Sequence, residues 1–504
     1  MKKTILTMTA IFAVGVLFAQ NIDDALRYSS SNTTGTARFN ALGGAFGALG
    51  GDLSALNTNP ASGAVFTRNT VSFTLSSENL DNDVSYFNGT TNSTDTDVSF
   101  NQIGGVFIFE TSPDSNWKKF SLGFNYDRTQ NFDDRFVASG TGNTSIASYF
   151  LSFANGVPLD LLELRDGESI SDLYQFLGEN EGYGTQQAFL GFQSFLIDPV
   201  SFNAGNTSYV SNVAGNSFDQ NYTFISDGYN GKAAFNLATQ YKDNLYLGLN
   251  LNSHFFDYQQ STILRERNAS QSSLVNAVRF ENNLRTFGSG FSFQLGAIQK
   301  VGDDIRLGFT YDSPTWFTIS EEGSQRIITD RVEDENVITA DVNPRITNVF
   351  QDYQISTPAK YTGSIAYLFG TQGLLSLDYV YTDYSQLSFR PKSDPFFDEQ
   401  NANIDTQLRA AGTYRLGGEY RMAQWSFRGG YSLTESPYED QETIGDLTGY
   451  SLGLGYNFGE IKLDFAYQNQ EQTRNQSLYS TGLTSQAGVT RNTQNFIATL
   501  TFSL

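Results

Sequence analysis

Cysteine is absent from the sequence, and histidine occurs once, at His254, in a chain of 504 residues. Without cysteine the chain can form neither a disulfide nor a thiolate-ligated metal site. Basic residues are also scarce, because 31 Lys and Arg stand against 53 Asp and Glu, for a formal net charge of −22. So negative a chain argues against nucleic acid as a partner.

Long apolar runs are missing as well. After residue 19 no apolar stretch reaches the roughly 18 residues of a membrane-spanning helix. Residues 1–19 combine Lys2 and Lys3 with an apolar run from Ile5 to Phe18, followed by the small residue Ala19. This pattern predicts a secretory signal peptide cleaved before Gln20. The mature chain is therefore expected to be exported, either as a soluble protein or as a membrane barrel.

The sequence is rich in aromatic residues, with 42 Phe and 27 Tyr, and many of them lie in alternating patterns. Residues 233–241 alternate in polarity, a short turn follows at 242–244, and residues 245–251 resume the alternation with Leu at every second position. A period of two predicts a β-hairpin with one apolar face. Similar pairs recur toward the C-terminus. With strands near 69–77, 100–109, 119–128 and 494–504, they predict fourteen strands.

Short turns alternate with long polar connections between these strands. The long connections are expected at 129–230, 259–284, 319–359, 389–407, 436–447 and 471–493. A soluble β-sandwich shares the alternation of residues but not this alternation of connections. An even strand number, an uncharged outward face and short turns on one side are typical of outer-membrane barrels. We therefore predict an all-β fold: a 14-stranded antiparallel transmembrane β-barrel at 69–504, with a long extracellular loop at 129–230.

Residues 20–68 precede the first strand and show no strand period. A fourteen-stranded barrel leaves an open lumen unless something fills it, so these residues are the candidate N-terminal hatch, or plug. The glycines of 43–66 lack the G-x-G-x-x-G spacing of a nucleotide-binding turn. We expect small residues to fit a narrow lumen, Pro60 to stiffen a turn, and Arg38 and Asp52 to pair with wall charges. The candidate hatch and gate residues are Gly43, Gly44, Gly47, Gly50, Gly51, Asn59, Pro60 and Ala61.

Four stretches, in order along nearly the whole chain, resemble the FadL/TodX family of outer-membrane transporters for long-chain fatty acids and hydrocarbons. They are LGGDLSALNTNPASGAVF, IRLGFTYDSPTWFTI, TPAKYTGSIAYLFGTQGLLSLDYVYTDYSQL and QWSFRGGYSLTESPY. The resemblance implies passive uptake of a hydrophobic ligand, such as a long-chain fatty acid, across the outer membrane of a Gram-negative bacterium. It further implies capture at outer loops, a site in the lumen, a hatch that shifts, and lateral escape through the wall. It implies no cofactor.

Charged residues on the inward faces of the strands suggest two interpretations. They are Arg306, Asp312, Asp378, Arg415, Glu419, Arg428, Lys462 and Asp464. These groups either pair with one another, or a cation among them binds an anionic head group of the ligand. The candidate ligand-binding cations are Arg428, which lies beside a glycine pair that leaves room, and Arg415.

The loop 129–230 contains aromatic residues at roughly helical spacing, among them Phe189, Phe192 and Phe195. Short helices there either pack together as a lid or expose an apolar surface that captures the ligand. The final segment, NFIATLTFSL, resembles the assembly signal of outer-membrane proteins. We therefore expect the barrel assembly machinery and outer-membrane lipid as partners of a monomer.

Three other functions stay open: a general diffusion porin, a surface adhesin and an outer-membrane lipid hydrolase. A hydrolase would need a serine activated by His254, and no G-x-S-x-G motif accompanies it. A porin would conduct ions steadily, whereas a plugged transporter would conduct little. The acidic segment DRVEDENV lacks the spacing of a calcium loop, so no metal site and no catalytic residue are predicted.

Overall fold

Fourteen strands pair in chain order and close into one antiparallel barrel in the computed structural model. The structure describes residues 21–30, 32–270, 272–333 and 336–504, so the expected signal peptide at 1–19 lies outside the described residues. The strands are β1 Thr70–Tyr86, β2 Gly89–Glu110, β3 Trp117–Asn131, β4 Phe218–Tyr241, β5 Leu245–Asn268, β6 Val275–Val301, β7 Ile305–Asp312, β8 Lys360–Leu368, β9 Gly373–Asp383, β10 Ala410–Met422, β11 Trp425–Thr434, β12 Ile444–Asn457, β13 Ile461–Ser477 and β14 Gln486–Ser503. The ring closes because β14 pairs with β1. The predicted 14-stranded barrel is confirmed.

Alternating polarity decides which face of each strand points outward. On β5, Leu251 is 47% exposed, whereas its neighbours Asn250 and Asn252 are buried in the lumen. On β11, Phe427 is exposed and Arg428 is buried. An uncharged apolar exterior can face hydrocarbon, and a closed ring of strands leaves no backbone group unpaired there.

The two ends of the barrel differ. At the short-turn end, tight turns such as residues 242–244 join neighbouring strands. At the long-loop end, several strands run further than expected. The connection expected at 259–284 shrinks to 269–274, because β5 continues to Asn268 and β6 begins at Val275. Outside the hydrocarbon both faces of a strand can be polar, so the strands stay paired beyond the point where the alternation of apolar and polar residues ends.

Further strands and helices cover the long-loop end. The strand Asp134–Gly142 pairs with β4, and the strand Trp316–Glu333 pairs with β6. The other short strands are Ile197–Pro199, Tyr209–Ser211, Asn336–Val342, Asn348–Val349, Tyr353–Ser356 and Ser388–Arg390. The helices of this end are α3 Ala147–Ala154, α4 Ile170–Asn180, α5 Tyr183–Gln193 and α6 Pro395–Gln407, with single 3-10 turns at Leu159–Leu161 and Tyr384–Gln386. α3, α4 and α5 share one large buried apolar cluster with residues of the barrel wall at the long-loop end.

The N-terminal segment folds inside the lumen as a plug, as predicted. It consists of α1 Ile22–Ser29, α2 Ala37–Ala41 and the 3-10 helices Ser54–Asn57 and Pro60–Val65. Each α-helix begins at a residue whose side chain caps it: Asn21 accepts from the Asp24 amide, and Thr36 accepts from the Phe39 amide. None of the helices in the described residues combines the length and apolar character needed to cross a membrane.

Candidate functional site

The hatch is anchored at Asn59, the residue before Pro60. The Asn59 side-chain oxygen accepts from the Ala61 amide at 3.1 Å and so caps the 3-10 helix that Pro60 begins. The Asn59 amide nitrogen donates to the Gly47 carbonyl at 2.7 Å and to the Ala297 carbonyl on β6 at 3.1 Å. One side chain therefore joins two segments of the hatch to each other and to the wall.

Glycines on the inward face of the wall make room for the hatch. A Cβ at Gly308 on β7 would lie 2.7 Å from the carbonyl carbon of Gly47. A Cβ at Gly417 on β10 would lie 2.5 Å from the carbonyl oxygen of Leu42. Carbon atoms prefer separations of about 3.5–4.0 Å, so a side chain at either position would displace the hatch. The other wall glycines whose Cβ would collide with hatch atoms include Gly248, Gly296, Gly430 and Gly453.

These six glycines lie on β5, β6, β7, β10, β11 and β12, so the hatch touches the wall around much of its circumference. Sequence reasoning did not identify them as part of the site. The available signal is a glycine at an inward position in a strand interior, which often marks the close approach of another backbone.

The hatch glycines serve two different needs. Gly43, Gly44, Gly50 and Gly51 have φ of 62°, 77°, 65° and 68°, the left-handed region that favours glycine. Gly47 does not, but a Cβ there would lie 2.9 Å from the Cβ of Ser364 on the wall. Turn geometry and close packing therefore explain why residues 43–51 contain five glycines. Its role as a gate stays a prediction.

An ion cluster near the short-turn end joins the hatch to the wall. Glu419 on β10, with a fully buried side chain, accepts from the Nε atoms of Arg38 at 2.9 Å, Arg428 at 2.6 Å and Arg421 at 2.7 Å. Arg428 Nη1 also donates to Asp464 Oδ1 at 2.6 Å. The expected pairing of Arg38 with a wall charge is confirmed.

The other expectations for this end turn out differently. Asp52 bonds within the hatch instead, accepting from the Thr36 hydroxyl at 2.8 Å and the Ser54 amide at 3.0 Å. Arg428 is only 5% exposed at its side chain, and two carboxylates already occupy it. These carboxylates bind its Nε and Nη1, and the ligand-binding role of Arg428 stays a prediction.

A cavity of about 210 Å³ lies in the lumen on the long-loop side of the hatch. Its lining is mostly polar and contains the cations Lys232, Lys360 and Arg415 and the acids Asp127 and Asp312. Arg415 is the predicted ligand-binding cation that the structure places here, and among the described residues its Nε has no hydrogen-bond partner. Lys232 and Lys360 were missed, although each is a lysine at an inward strand position.

Gln294 on β6 connects this cavity to the hatch. Its amide nitrogen donates to the Asn57 carbonyl at 2.8 Å and to Asp312, and its oxygen accepts from Lys232 Nζ at 3.1 Å. The Asn57 side chain in turn donates to Asp127. Two residues that line the cavity therefore hold the same hatch residue.

A second cavity of about 310 Å³ adjoins the first, since both are lined by Asn32, Tyr384, Thr434, Leu447 and Gln470. The second cavity has an apolar side, formed by Leu26, Phe132, Phe224, Tyr258 and Ile444. The rest of its lining is mostly polar and includes the ionisable residues Asp23, Arg27, Glu78, Asp134, Glu435, Arg474 and Arg491.

His254 lines the first cavity, with its Nε2 2.8 Å from the Ser292 hydroxyl. Its ring meets Phe317 in an edge-on contact at 5.8 Å between centroids. In the described part of the chain no carboxylate bonds to His254. A serine–histidine pair without such a group lacks the third member that orients the base in hydrolytic triads.

The wall has a seam between β2 and β3 on the long-loop side of this cavity. The ladder between these strands ends at the pair Gln102–Asp127. Both strands are irregular just beyond it, with Asn101 unpaired between β2 and β1 and Thr129 unpaired between β3 and β4. Across the seam, Arg128 Nη1 binds Asp97 Oδ2 at 3.2 Å. Because Asp127 and Thr129 also line the first cavity, the seam and the cavity adjoin.

The predicted loop aromatics take three different positions. Phe189 on α5 is fully buried in the apolar cluster shared by α3, α4 and α5, which together are called the lid, and Phe192 packs partly buried against that cluster. Phe195 is 41% exposed, and the Arg331 guanidinium lies 3.8 Å from its ring centroid. Of the three, only Phe195 presents a substantial surface to solvent.

A closed barrel with an apolar exterior and a wall-anchored plug defines the chain as a plugged transmembrane β-barrel. The chain belongs to the family of outer membrane protein transport proteins (OMPP1/FadL/TodX), whose model matches residues 200–503.

Solved structures agree with this fold. A FadL homologue of Pseudomonas aeruginosa is 13% identical, with 94% of this chain and 100% of that chain covered and a TM-score of 0.55. The P. putida toluene transporter TodX is 14% identical, with 95% and 99% covered and a TM-score of 0.52. No curated protein sequence matches the chain.

Proposed function

We propose that the protein is a passive transporter that takes up a hydrophobic ligand across the outer membrane of a Gram-negative bacterium. The long-loop end then faces outward, the short turns face the periplasm, and the hatch closes the lumen between them. The observation that carries the proposal is the pair of joined cavities that lies above the seated hatch and beside the seam. A general diffusion porin needs an open lumen, and in this barrel the hatch residues 21–30 and 32–68 lie across it.

The lining of the first cavity favours an amphiphile with an anionic head, such as a long-chain fatty acid, over a bare hydrocarbon. Its three cations, Arg415, Lys232 and Lys360, outnumber its two acids, and charge-assisted bonds to a carboxylate are roughly twice as strong as neutral ones. The apolar side of the second cavity can hold the chain, since the combined space of the two cavities falls within the roughly 300–1,000 Å³ typical of small-molecule sites. Arg428 lies on the other side of the hatch and is a less accessible head-group site.

Capture at the outer surface is the first step that we propose. Phe195 offers exposed apolar area, and Phe189 and Phe192 become available only if the lid helices separate. The lid is held by one shared apolar cluster, so its opening is a local unfolding step rather than a hinge between rigid bodies.

Lateral release follows through the seam between β2 and β3. Missing ladder bonds and two neighbouring irregularities lower the cost of separating the two strands here. On the outer face of the wall beside the seam, Val98 is 72% exposed, and Phe100 stacks on Tyr126 with 6.1 Å between ring centroids. These side chains form an apolar surface that a released ligand would contact. The predicted partners, outer-membrane lipid and the barrel assembly machinery, would meet this outer wall and the last strand respectively.

Retained ligand is the direct test of the function. The intact protein is extracted in several mild detergents, and co-purified lipids are identified by mass spectrometry. We expect enrichment of fatty acids, reduced in Arg415→Gln. Recovery of no hydrophobic molecule, together with steady ion conductance of the intact protein in planar bilayers, would favour a porin.

Lateral release has its own test, which the absence of native cysteine simplifies. Asp97→Cys and Arg128→Cys, joined by a bifunctional thiol reagent, should close the seam and lower palmitate uptake into proteoliposomes. The matched control joins cysteines at Glu110 and Lys119, which are already ladder partners of β2 and β3. Equal uptake by both cross-linked proteins would exclude the seam as the exit.

A further inference from the structure

A third cavity lies on the opposite side of the hatch. This vestibule has a volume of about 650 Å³ and opens at the short-turn end, between the underside of the hatch and the wall. Its cations are Arg38, Arg68, Arg306, Arg421, Arg428 and Lys462, and its acids are Asp52, Glu419 and Asp464. Three positive charges are thus in excess here, although the chain as a whole carries −22.

The acids of the vestibule are already engaged by hatch and wall groups, as described above. Three of its cations are not: Arg68, Arg306 and Lys462 form no ion pair with any residue that the structure describes. Arg306 donates to the Leu49 carbonyl at 2.6 Å, and its Nε has no partner in the described ranges. A partly enclosed site with uncompensated cations attracts an anion, since the attraction grows as the local dielectric constant falls.

Five of the six cations are guanidinium groups, whose planar forks of N–H donors match the paired oxygens of a carboxylate or a phosphate. Val65 and Leu368, both half-buried, share the lining with the cations and present apolar surface that could cover an attached chain. We propose that the vestibule is a second ligand site, one that binds a carboxylate group on the short-turn side of the hatch.

The position of this site relative to the first cavity supports the proposal. Arg415, Gly417, Glu419 and Arg421 follow one another at alternate, inward positions of β10, and the hatch rests on Gly417. Cations therefore occur directly above and below the hatch on one strand. A carboxylate could come from the transported amphiphile or from a soluble organic acid of the facing compartment. The proposed carboxylate site does not depend on the proposed transport function. Only the assignment of the transported amphiphile as the source of the carboxylate rests on that function.

The test measures protection of Lys462, an exposed lysine of the vestibule, from an amine-acylating reagent. Full-length protein in detergent is labelled with palmitate, succinate or hexadecanol present, and labelling rates are read by peptide mass spectrometry. At ten times its Kd, an acid bound in the vestibule should slow labelling of Lys462 about tenfold by mass action. Lys392, exposed at the long-loop end, is the internal control.

The double variant Arg68→Gln/Arg421→Gln should lose most of the protection, whereas Arg285→Gln at the opposite end should keep it. Both replaced vestibule side chains are exposed, so folding is expected to survive. Protection by palmitate alone identifies the amphiphile as the source, and protection by succinate identifies soluble acids. Equal labelling with and without either acid, or equal protection by hexadecanol, would overturn the proposal. The succinate arm decides the matter even if palmitate proves not to be transported.

Discussion

Adding one methyl group to the wall at Gly308 should loosen the hatch. In Gly308→Ala the new Cβ would lie 2.7 Å from the Gly47 carbonyl carbon, about 0.8 Å inside normal carbon contact. The Gly47 backbone cannot easily retreat, since its amide donates to Asp378 at 2.8 Å and its carbonyl accepts from Asn59 at 2.7 Å. Overpacking of this kind costs about 1–3 kcal/mol.

If that cost falls on the seated state alone, the population of the displaced hatch rises roughly 5–150-fold. Single-channel conductance in planar bilayers, with protease cleavage of the hatch as a second readout, measures this population. The matched control is Gly363→Ala on the adjacent strand β8, where a Cβ would meet nothing within 4 Å. Equal conductance and equal cleavage for the two variants would refute the idea that the wall glycines seat the hatch.

Five further substitutions test the charged and polar groups of the lumen. Glu419→Gln should lower the melting temperature strongly, because breaking a buried ion cluster costs about 3–5 kcal/mol, while Arg421→Gln should change stability by about 0–1 kcal/mol. Arg415→Gln should weaken palmitate binding roughly 10-fold or more and leave hexadecanol binding unchanged, because a hydrogen bond to a charged group contributes about 1.5–3 kcal/mol. Arg428→Gln should show the same pattern only if that residue contacts the ligand. His254→Ala should leave uptake unchanged, and a lost hydrolytic activity would instead support the enzyme alternative.

The fold could be read from the sequence because a bilayer enforces a strict alternation. Each outward apolar residue such as Leu251 has inward polar neighbours, and that pattern fixes strand number and register. Strand length was underestimated because the alternation weakens where water replaces hydrocarbon. The N-terminal plug was predictable from its position and its lack of a strand period.

The candidate site was only partly predictable. The partner of Arg38 could be anticipated, because a hatch cation and wall acids were expected at the same end of the barrel. The sequence could not rank Arg415 above Arg428, since that depends on which cation is already paired with carboxylates. The seam was also invisible, because a ladder that ends early leaves no trace in residue polarity on either strand.

The glycine-lined seat restricts how this plug can move and where it can be used. Contacts on six strands oppose sideways movement of the plug within the lumen. The wall, in turn, fits this plug through the six glycines that contact it. A chimera that places residues 21–68 in another fourteen-stranded barrel would need the six wall glycines as well, which makes plug and wall a single unit for protein design.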